Sequence, residues 1–146
     1  MADFFVMREA IKARVQEALP EIKRIYFAED LDGVKLNSQN APAVHILYGG
    51  YQPAQAERAR EAIRISQTWT VVLAVRNARN EYGAGETLDK LIAALHGFKP
   101  EDARHALALQ LAAPSFAPSY RPGVAFYPLA FQTEVINQKG ALTNGT

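Results

Sequence analysis

The stretch AIRISQTWTVVLAVR, residues 62–76, decides the fold because its apolar and polar side chains alternate almost strictly. In an extended strand, one face would carry Ile63, Ile65, Trp69, Val71, Leu73 and Val75, with Gln67 as a polar lapse. The other face would carry Arg64, Ser66, Thr68, Thr70, Val72 and Ala74. At about 3.3 Å per residue this strand would extend roughly 50 Å, well beyond a usual strand. We therefore expect it either to bend at a bulge or to project beyond the domain body.

Two amphipathic helices are predicted, one before this strand and one after it. The first spans roughly residues 3–19, with Asp3 as a candidate N-cap and Pro20 beyond its end. The second spans residues 84–97, where Gly97 supplies the glycine that commonly ends a helix. Their apolar stripes consist of Phe4, Met7, Ile11, Val15 and Ala18 in the first helix and Leu88, Leu91, Ile92 and Leu95 in the second.

Shorter strand patterns occupy residues 22–27, 43–51, 105–113 and 125–137. Residues 28–42 are polar and are predicted as a long loop, with room for a small hairpin. Most consecutive strands lack an intervening helix. We therefore predict an α+β fold, with an antiparallel or mixed β-sheet of about 4–6 strands and two α-helices packed on one face. Residues 1–138 would form a single domain and residues 139–146 a flexible C-terminal tail.

The second face of the predicted sheet is made of small residues, and its environment is ambiguous. The residues concerned are Val72, Ala74, Ala106, Ala108 and Ala130. They are less apolar than a core covered by a helix and less charged than a free surface. Either another subunit or a thin layer packs there, or the face is simply tolerant of solvent.

Composition excludes several classes of function. The chain has 146 residues, with 16 Lys and Arg against 15 Asp and Glu, a net charge of +1 that gives no global attraction to nucleic acid or anionic lipid. The absence of cysteine excludes disulfides, thiolate zinc sites and cysteine nucleophiles. Signal-peptide features and long apolar runs are also absent, so we expect a soluble protein made in the cytoplasm, with no membrane partner.

Each candidate motif for a catalytic, metal or cofactor site departs from its required pattern at a specific position. His45, His96 and His105 show none of the spacings of a helical metal site. The acidic turn before Gly33 places Val34 where a calcium loop counted from Asp30 needs an oxygen ligand. A second pattern, Gly83-x-Gly85 before a helix, has Leu88 where a dinucleotide loop needs Gly or Ala. No serine lies in a Gly-x-Ser-x-Gly turn. We expect no catalytic, metal-binding or cofactor-binding residues and no enzymatic activity.

One group of basic residues has two possible interpretations. These residues flank the two ends of the long strand and are Arg58, Arg60, Arg64, Arg76 and Arg79. With Glu57, Glu61 and Glu81 nearby, they fit a solvated rim of mixed charge. They also fit a subunit interface, or the rim of a channel that faces DNA.

Several stretches of the chain resemble the tail terminator (tail-completion) proteins of long-tailed bacteriophages and prophages, the group that includes minor tail protein U-like proteins. The stretches are the N-terminal helix leading into a short strand, Pro42–Tyr48, the long strand ending at Arg76, Leu88–Pro100, and Tyr127–Thr133. The most telling is the helix that ends in Gly-aromatic-x-Pro and is followed by two strands. The resemblance covers most of the chain, and its motifs are structural, not catalytic.

The resemblance implies a structural protein that caps the tail tube, ends its polymerisation and forms the surface for head joining. It implies a homo-oligomer, a hexameric ring, with the tail tube protein and a head-completion protein as partners and DNA passing non-specifically through the ring. Such a protein would assemble in the host cytoplasm and remain in the virion tail. The alternatives are a head–tail connector or neck protein, another phage assembly subunit, or a small-ligand-binding or enzymatic domain.

Overall fold

The computed structural model describes residues 4–36, 41–55, 63–76, 81–101 and 107–137. In this part of the chain the helices are α1 (Val6–Ala18), α2 (Leu31–Leu36) and α3 (Glu81–Leu95). The strands are β1 (Ile25–Ala28), β2 (Ala43–Gln55), β3 (Ile63–Arg76), β4 (Gln110–Ala112), β5 (Ser119–Arg121) and β6 (Val124–Asn137). None of the helices in these residues is both long and apolar enough to cross a membrane.

The strands form one mixed sheet in the order β1-β2-β3-β6-β4, with β5 also paired to β6. All neighbours are antiparallel except β1 and β2, which run parallel. A parallel pair needs a crossover connection, and the chain between Ala28 and Ala43 supplies it. The predicted α+β class with a mixed sheet is therefore confirmed.

The long strand β3 has a paired neighbour along its whole length, and the irregularities in its pairing lie on one side only. It pairs with β6 without interruption, from Ile63 opposite Asn137 to Arg76 opposite Val124. The neighbouring strand β2 shifts register between Tyr48 and Tyr51, where Gly50 adopts a φ of 100°, and again between Pro53 and Gln55. At the far end of β3, the Ile63 side chain is exposed.

The helices α1 and α3 pack side by side on one face of the sheet, as predicted. Their buried side chains meet the apolar set of β3, including Trp69, Val71 and Leu73. The other members of this core are Met7, Ile11, Val15, Leu19, Ile22, Val44, Ile46, Leu91, Leu95, Leu109 and Phe131. Gly97 has a φ of 85° just beyond α3, which confirms its predicted role in ending that helix.

The polar lapse in this apolar face, Gln67, is fully buried and hydrogen-bonded. Its Nε2 donates to the carbonyl oxygen of Phe4 at 2.8 Å. Its Oε1 accepts from Trp69 Nε1 at 3.3 Å. Gln67 thus ties the segment before α1 to the centre of the sheet and supplies a partner for the buried indole N–H.

The prediction of a loop over residues 28–42 is wrong, because this segment contains α2. Asp30 Oδ1 accepts a hydrogen bond from the Gly33 backbone N–H at 2.8 Å, which caps the helix start. Val34 is buried on the face of the sheet opposite α1 and α3. A helix of six residues is too short for its sequence to show a helical period, so periodicity could not reveal it.

Part of the second sheet face is covered by a thin layer from the same chain. Its cluster consists of Val34, Ala41, Leu47, Val72, Ala74, Val124 and Phe126, with Ala28 and Phe116 packed against it. Toward the other end of β3, Arg64 is exposed and Ser66 and Thr68 are half-buried. The face is therefore divided into an apolar half under α2 and an open polar half. Ala106 lies outside the described residues.

Other predicted boundaries shift because tertiary contacts override the local pattern. Helix α1 begins at Val6, and its N-cap residue is Phe5, which makes no side-chain cap; the predicted N-cap, Asp3, lies outside the described residues. The strand predicted over residues 22–27 is β1, and Ile22 before it is buried in the core. Strand β5 forms between the patterns at residues 105–113 and 125–137, where no strand is predicted. The strand predicted from His105 is reduced to β4 in the described residues.

We predict that Gln67→Ala lowers the free energy of unfolding by about 2–3 kcal/mol, because the Phe4 carbonyl and the Trp69 indole lose a buried partner. Urea unfolding followed by the fluorescence of the single tryptophan measures this change. Thr68→Ala, a substitution at the adjacent half-buried residue, is the matched control. An effect of Gln67→Ala no larger than that of the control would contradict the assignment.

Candidate interaction surfaces

The arginines singled out in the sequence are not brought together where the structure describes them. Arg64 and Arg76 lie near opposite ends of β3, about 40 Å apart at the usual rise of a strand. Arg64 Nη1 is 4.0 Å from Glu134 Oε1, beyond hydrogen-bonding distance. Arg76 Nε donates to the Ala41 carbonyl oxygen at 2.7 Å and so holds the segment before β2. Arg58, Arg60 and Arg79 lie outside the described residues, and the interface or channel role of the five stays a prediction.

The candidate chemical sites have local structural roles. His96 Nδ1 accepts a hydrogen bond from the Leu111 backbone N–H at 3.1 Å. Gly83 lies within the first turn of α3, and its carbonyl oxygen accepts from Thr87 Oγ1 at 3.0 Å. His105 lies outside the described residues. Within those residues, no group of three or more His, Cys, Asp or Glu side chains could hold a metal ion.

His45 is a buried titratable group beneath the second sheet face. Its ring lies 5.3 Å from the ring of Tyr26, and neither ring nitrogen has a hydrogen-bond partner among the described residues. Burial lowers the pKa of His45 from 6.5 to about 4, because the charged imidazolium would lose its hydration. The neutral ring therefore acts as part of the packing at neutral pH.

A patch of two exposed aromatic rings and two cations lies where α1 meets β1. Phe5 is 41% exposed and Phe27 is 39% exposed. The guanidinium carbon of Arg8 lies 5.2 Å from the Phe5 ring centroid and 5.4 Å from the Phe27 centroid. Lys12 Nζ lies 5.3 Å from the Phe27 centroid. We call these four residues the β1-edge patch.

The periods of the helix and of the strand explain why the side chains of the β1-edge patch lie together. Arg8 and Lys12 are four residues apart, each directly after a buried residue of α1, so they share the flank beside the buried stripe. Phe27 shares a face of β1 with Ile25, which packs against the helix-side core. Among the described strands β1 pairs with β2 alone, which leaves its outer edge open.

The opposite end of the sheet carries acidic and aliphatic side chains. Glu86 and Asp89 are exposed, three residues apart on α3. Asp89 lies two helical turns before His96, whose ring contacts β4, and so it projects toward the β4 side. Leu107 is 43% exposed and Leu111 is 45% exposed. We call Glu86, Asp89, Leu107 and Leu111 the α3–β4 edge.

Clefts lined by described residues are small and open. One of about 270 Å³ is lined by Ala84, Gly85, Leu88 and Tyr127, without a charged side chain. Another, of about 170 Å³, contains Glu134 among Ser66, Leu107, Gln110, Gln132 and Thr133. Both volumes fall below the range of roughly 300–1,000 Å³ that small-molecule sites usually occupy. Neither of these two clefts therefore has the size of a usual small-molecule site.

Sequence reasoning missed both edges. The signals that could have found the β1-edge patch are the pair Arg8 and Lys12 at helical spacing and the aromatic residue Phe27 in a short strand. Exposed aromatic rings cannot be told from buried ones by periodicity, because exposure depends on which strand ends the sheet. For the α3–β4 edge, the pair Glu86 and Asp89 looks like any solvated helix face.

Comparison with models of known protein families identifies a match. A family model described as phage tail terminator protein matches residues 1–141, which include every described helix and strand. No curated protein matches the chain.

We predict that acid destabilises the wild type more than a His45→Phe variant. Below about pH 6.5 the unfolded chain binds a proton at His45, whereas the folded protein does not until about pH 4. Folding stability should therefore fall as the pH drops through this window, by about 3 kcal/mol from His45 alone. Urea unfolding of both proteins at pH 7 and pH 4 measures the difference. Equal losses in the two proteins would contradict the prediction.

We predict that Phe27→Ser changes the free energy of unfolding by less than about 1 kcal/mol, because an exposed cation–π contact contributes little to folding. Phe131→Ala, at a fully buried ring of the same core face, should cost about 3–5 kcal/mol. Parallel urea unfolding curves compare the two. A loss at Phe27 as large as that at Phe131 would mean that this ring serves the fold and not a contact.

Proposed function

The chain belongs to the phage tail terminator family, and from this premise we propose that it caps the tail tube, ends tube polymerisation and forms the surface for head joining. The observation that carries the proposal is the family match over residues 1–141. The family is one of structural tail proteins, so the role is one of assembly. We propose that the protein has no enzymatic activity and needs no cofactor.

We further propose that the protein works as a ring of identical subunits, six in number. A ring uses heterologous contacts, in which one surface of a subunit meets a different surface of the next. The two ends of the sheet support such an arrangement, since one carries cations with aromatic rings and the other carries carboxylates with leucines. The tail tube protein would bind one face of the ring and a head-completion protein the other.

DNA passage through the ring is a further part of the proposal. The net charge of +1 suits a non-specific passage, since it gives no strong retention of the nucleic acid. Arg64, exposed on the open polar half of the sheet, is the described arginine best suited to line a subunit contact or a channel rim. Arg76, Arg58, Arg60 and Arg79 are proposed for the same roles. Assembly would take place in the host cytoplasm, and the protein would remain in the virion tail.

The test is tube length in a purified system. Tail tube protein is polymerised with and without the chain, and the tubes are measured by negative-stain electron microscopy. We expect ring-shaped density at one end of each tube and an end to growth at that end when fresh tube protein is added. The Gln67→Ala variant, unfolded by mild urea before mixing, is a control for the folded state.

Two results would contradict the proposal. Tubes that keep elongating at both ends in the presence of the folded chain would exclude a terminator. Binding to the head portal complex with no binding to tube ends would instead support a head–tail connector or neck protein.

A further inference from the structure

We propose that the β1-edge patch of one copy binds the α3–β4 edge of the next copy, and that this contact builds the assembly. The proposal rests on the self-assembly stated under the proposed function and adds the surfaces that carry it. Both surfaces were defined by exposure and charge alone. The two surfaces are complementary in charge and in their apolar side chains.

The charges of the two surfaces are opposite and are not neutralised within the described chain. Arg8 and Lys12 lie over the Phe5 and Phe27 rings, and neither forms a salt bridge with a described carboxylate. Glu86 and Asp89 likewise form no salt bridge with a described cation. Each pair would gain partners in a contact between copies, which favours correct encounters and disfavours wrong ones.

The apolar parts of the two surfaces also match. Phe5 and Phe27 on one side and Leu107 and Leu111 on the other are among the large apolar side chains that remain exposed. Aromatic rings and aliphatic side chains beside opposite charges form the usual anatomy of a specific interface, with an apolar centre and a polar rim.

The sheet places the two surfaces on opposite sides of the subunit. β1 and β4 are the two ends of the strand order, with β2, β3 and β6 between them. In the helix layer, Arg14 Nε of α1 donates to the Ala94 carbonyl oxygen of α3 at 2.9 Å, so these flanks of the two helices face each other. Arg8 and Lys12 face β1 instead, and Asp89 faces the β4 side. A copy can therefore use both surfaces at once.

A second copy fits the patch better than other occupants do. A two-fold contact through the β1-edge patch would bring Arg8 and Lys12 against their own counterparts, which like charges oppose. Nucleic acid would gain from the two cations, but the open edge of β1 offers backbone N–H and C=O groups that a strand of another protein chain can pair with. The complementary surface is present on the same chain, so head-to-tail repetition needs no other partner.

Cross-linking tests the contact directly, because the chain contains no cysteine. Lys12→Cys protein is mixed with Asp89→Cys protein and treated with a short bismaleimide. Asp32→Cys, which also replaces an exposed aspartate but lies on α2, is the matched control partner. We expect several-fold more cross-linked dimer with Asp89→Cys than with Asp32→Cys.

Charge reversal tests the same contact without a cross-linker. Light scattering should show self-association weakened at least about tenfold in R8E/K12E and in E86K/D89K. The variant with all four reversals should assemble again, because both surfaces exchange sign together. This restoration separates a lost contact from a lost fold.

The outcomes distinguish the contact from the wider function. The wild type could form oligomers while the Lys12→Cys and Asp89→Cys proteins cross-link no better than the control pair. That result would overturn this contact but not the ring. A wild type that stays monomeric, alone and with tube ends, would overturn the ring and the contact together. Charge-reversed variants that still assemble but no longer bind tubes would assign the patch to the tube protein and overturn the proposal.

Discussion

The alternation of side chains along β3 is the constraint on which the rest of the structure depends. The strand lies between β2 and β6, and its two faces bury different sets of residues. Trp69, Val71 and Leu73 meet α1 and α3, while Val72 and Ala74 lie under α2. A shift of one residue in register would exchange the two sets, so burial on both sides determines the register. The positions of all three helices follow from it.

The interruption of the pattern at Gln67 shows how a polar group can strengthen this arrangement. A buried amide costs stability unless both its donor and its acceptor are used. Gln67 uses both, toward the Phe4 carbonyl and the Trp69 indole. The residue therefore fixes the entry into α1 against the sheet, and it brings Phe5 and Arg8 to the edge where β1 ends the sheet. The polar residue Gln67 in the apolar face of β3 thereby helps to position the exposed β1-edge patch.

An open sheet leaves two edges, and their chemistry matters for what the protein does. Unprotected edges invite indiscriminate pairing, and proteins limit this with charges and with short edge strands. Here the edge strands β1 and β4 have only four and three residues. The cations Arg8 and Lys12 lie beside β1, and the carboxylates Glu86 and Asp89 lie on the side of β4. Short, oppositely charged edges suit selective repetition of the subunit. This is a property that the proposed ring needs.

The sequence by itself determined the class of fold, the central strand with its two faces, and the helices on its apolar side, because periods of 2 and 3.6 residues are local properties. It also carried the family resemblance that the match over residues 1–141 confirmed. The helix α2 and the strand β5 escaped prediction, since short elements have too few residues to show a period. The sequence could assign the five arginines to the two ends of the long strand, but it could not predict how far apart they lie or what they contact. Only the tertiary structure decided which strands end the sheet, and hence which of Phe27, Arg8, Asp89 and Leu111 face outward, because exposure arises from contacts between segments distant in sequence.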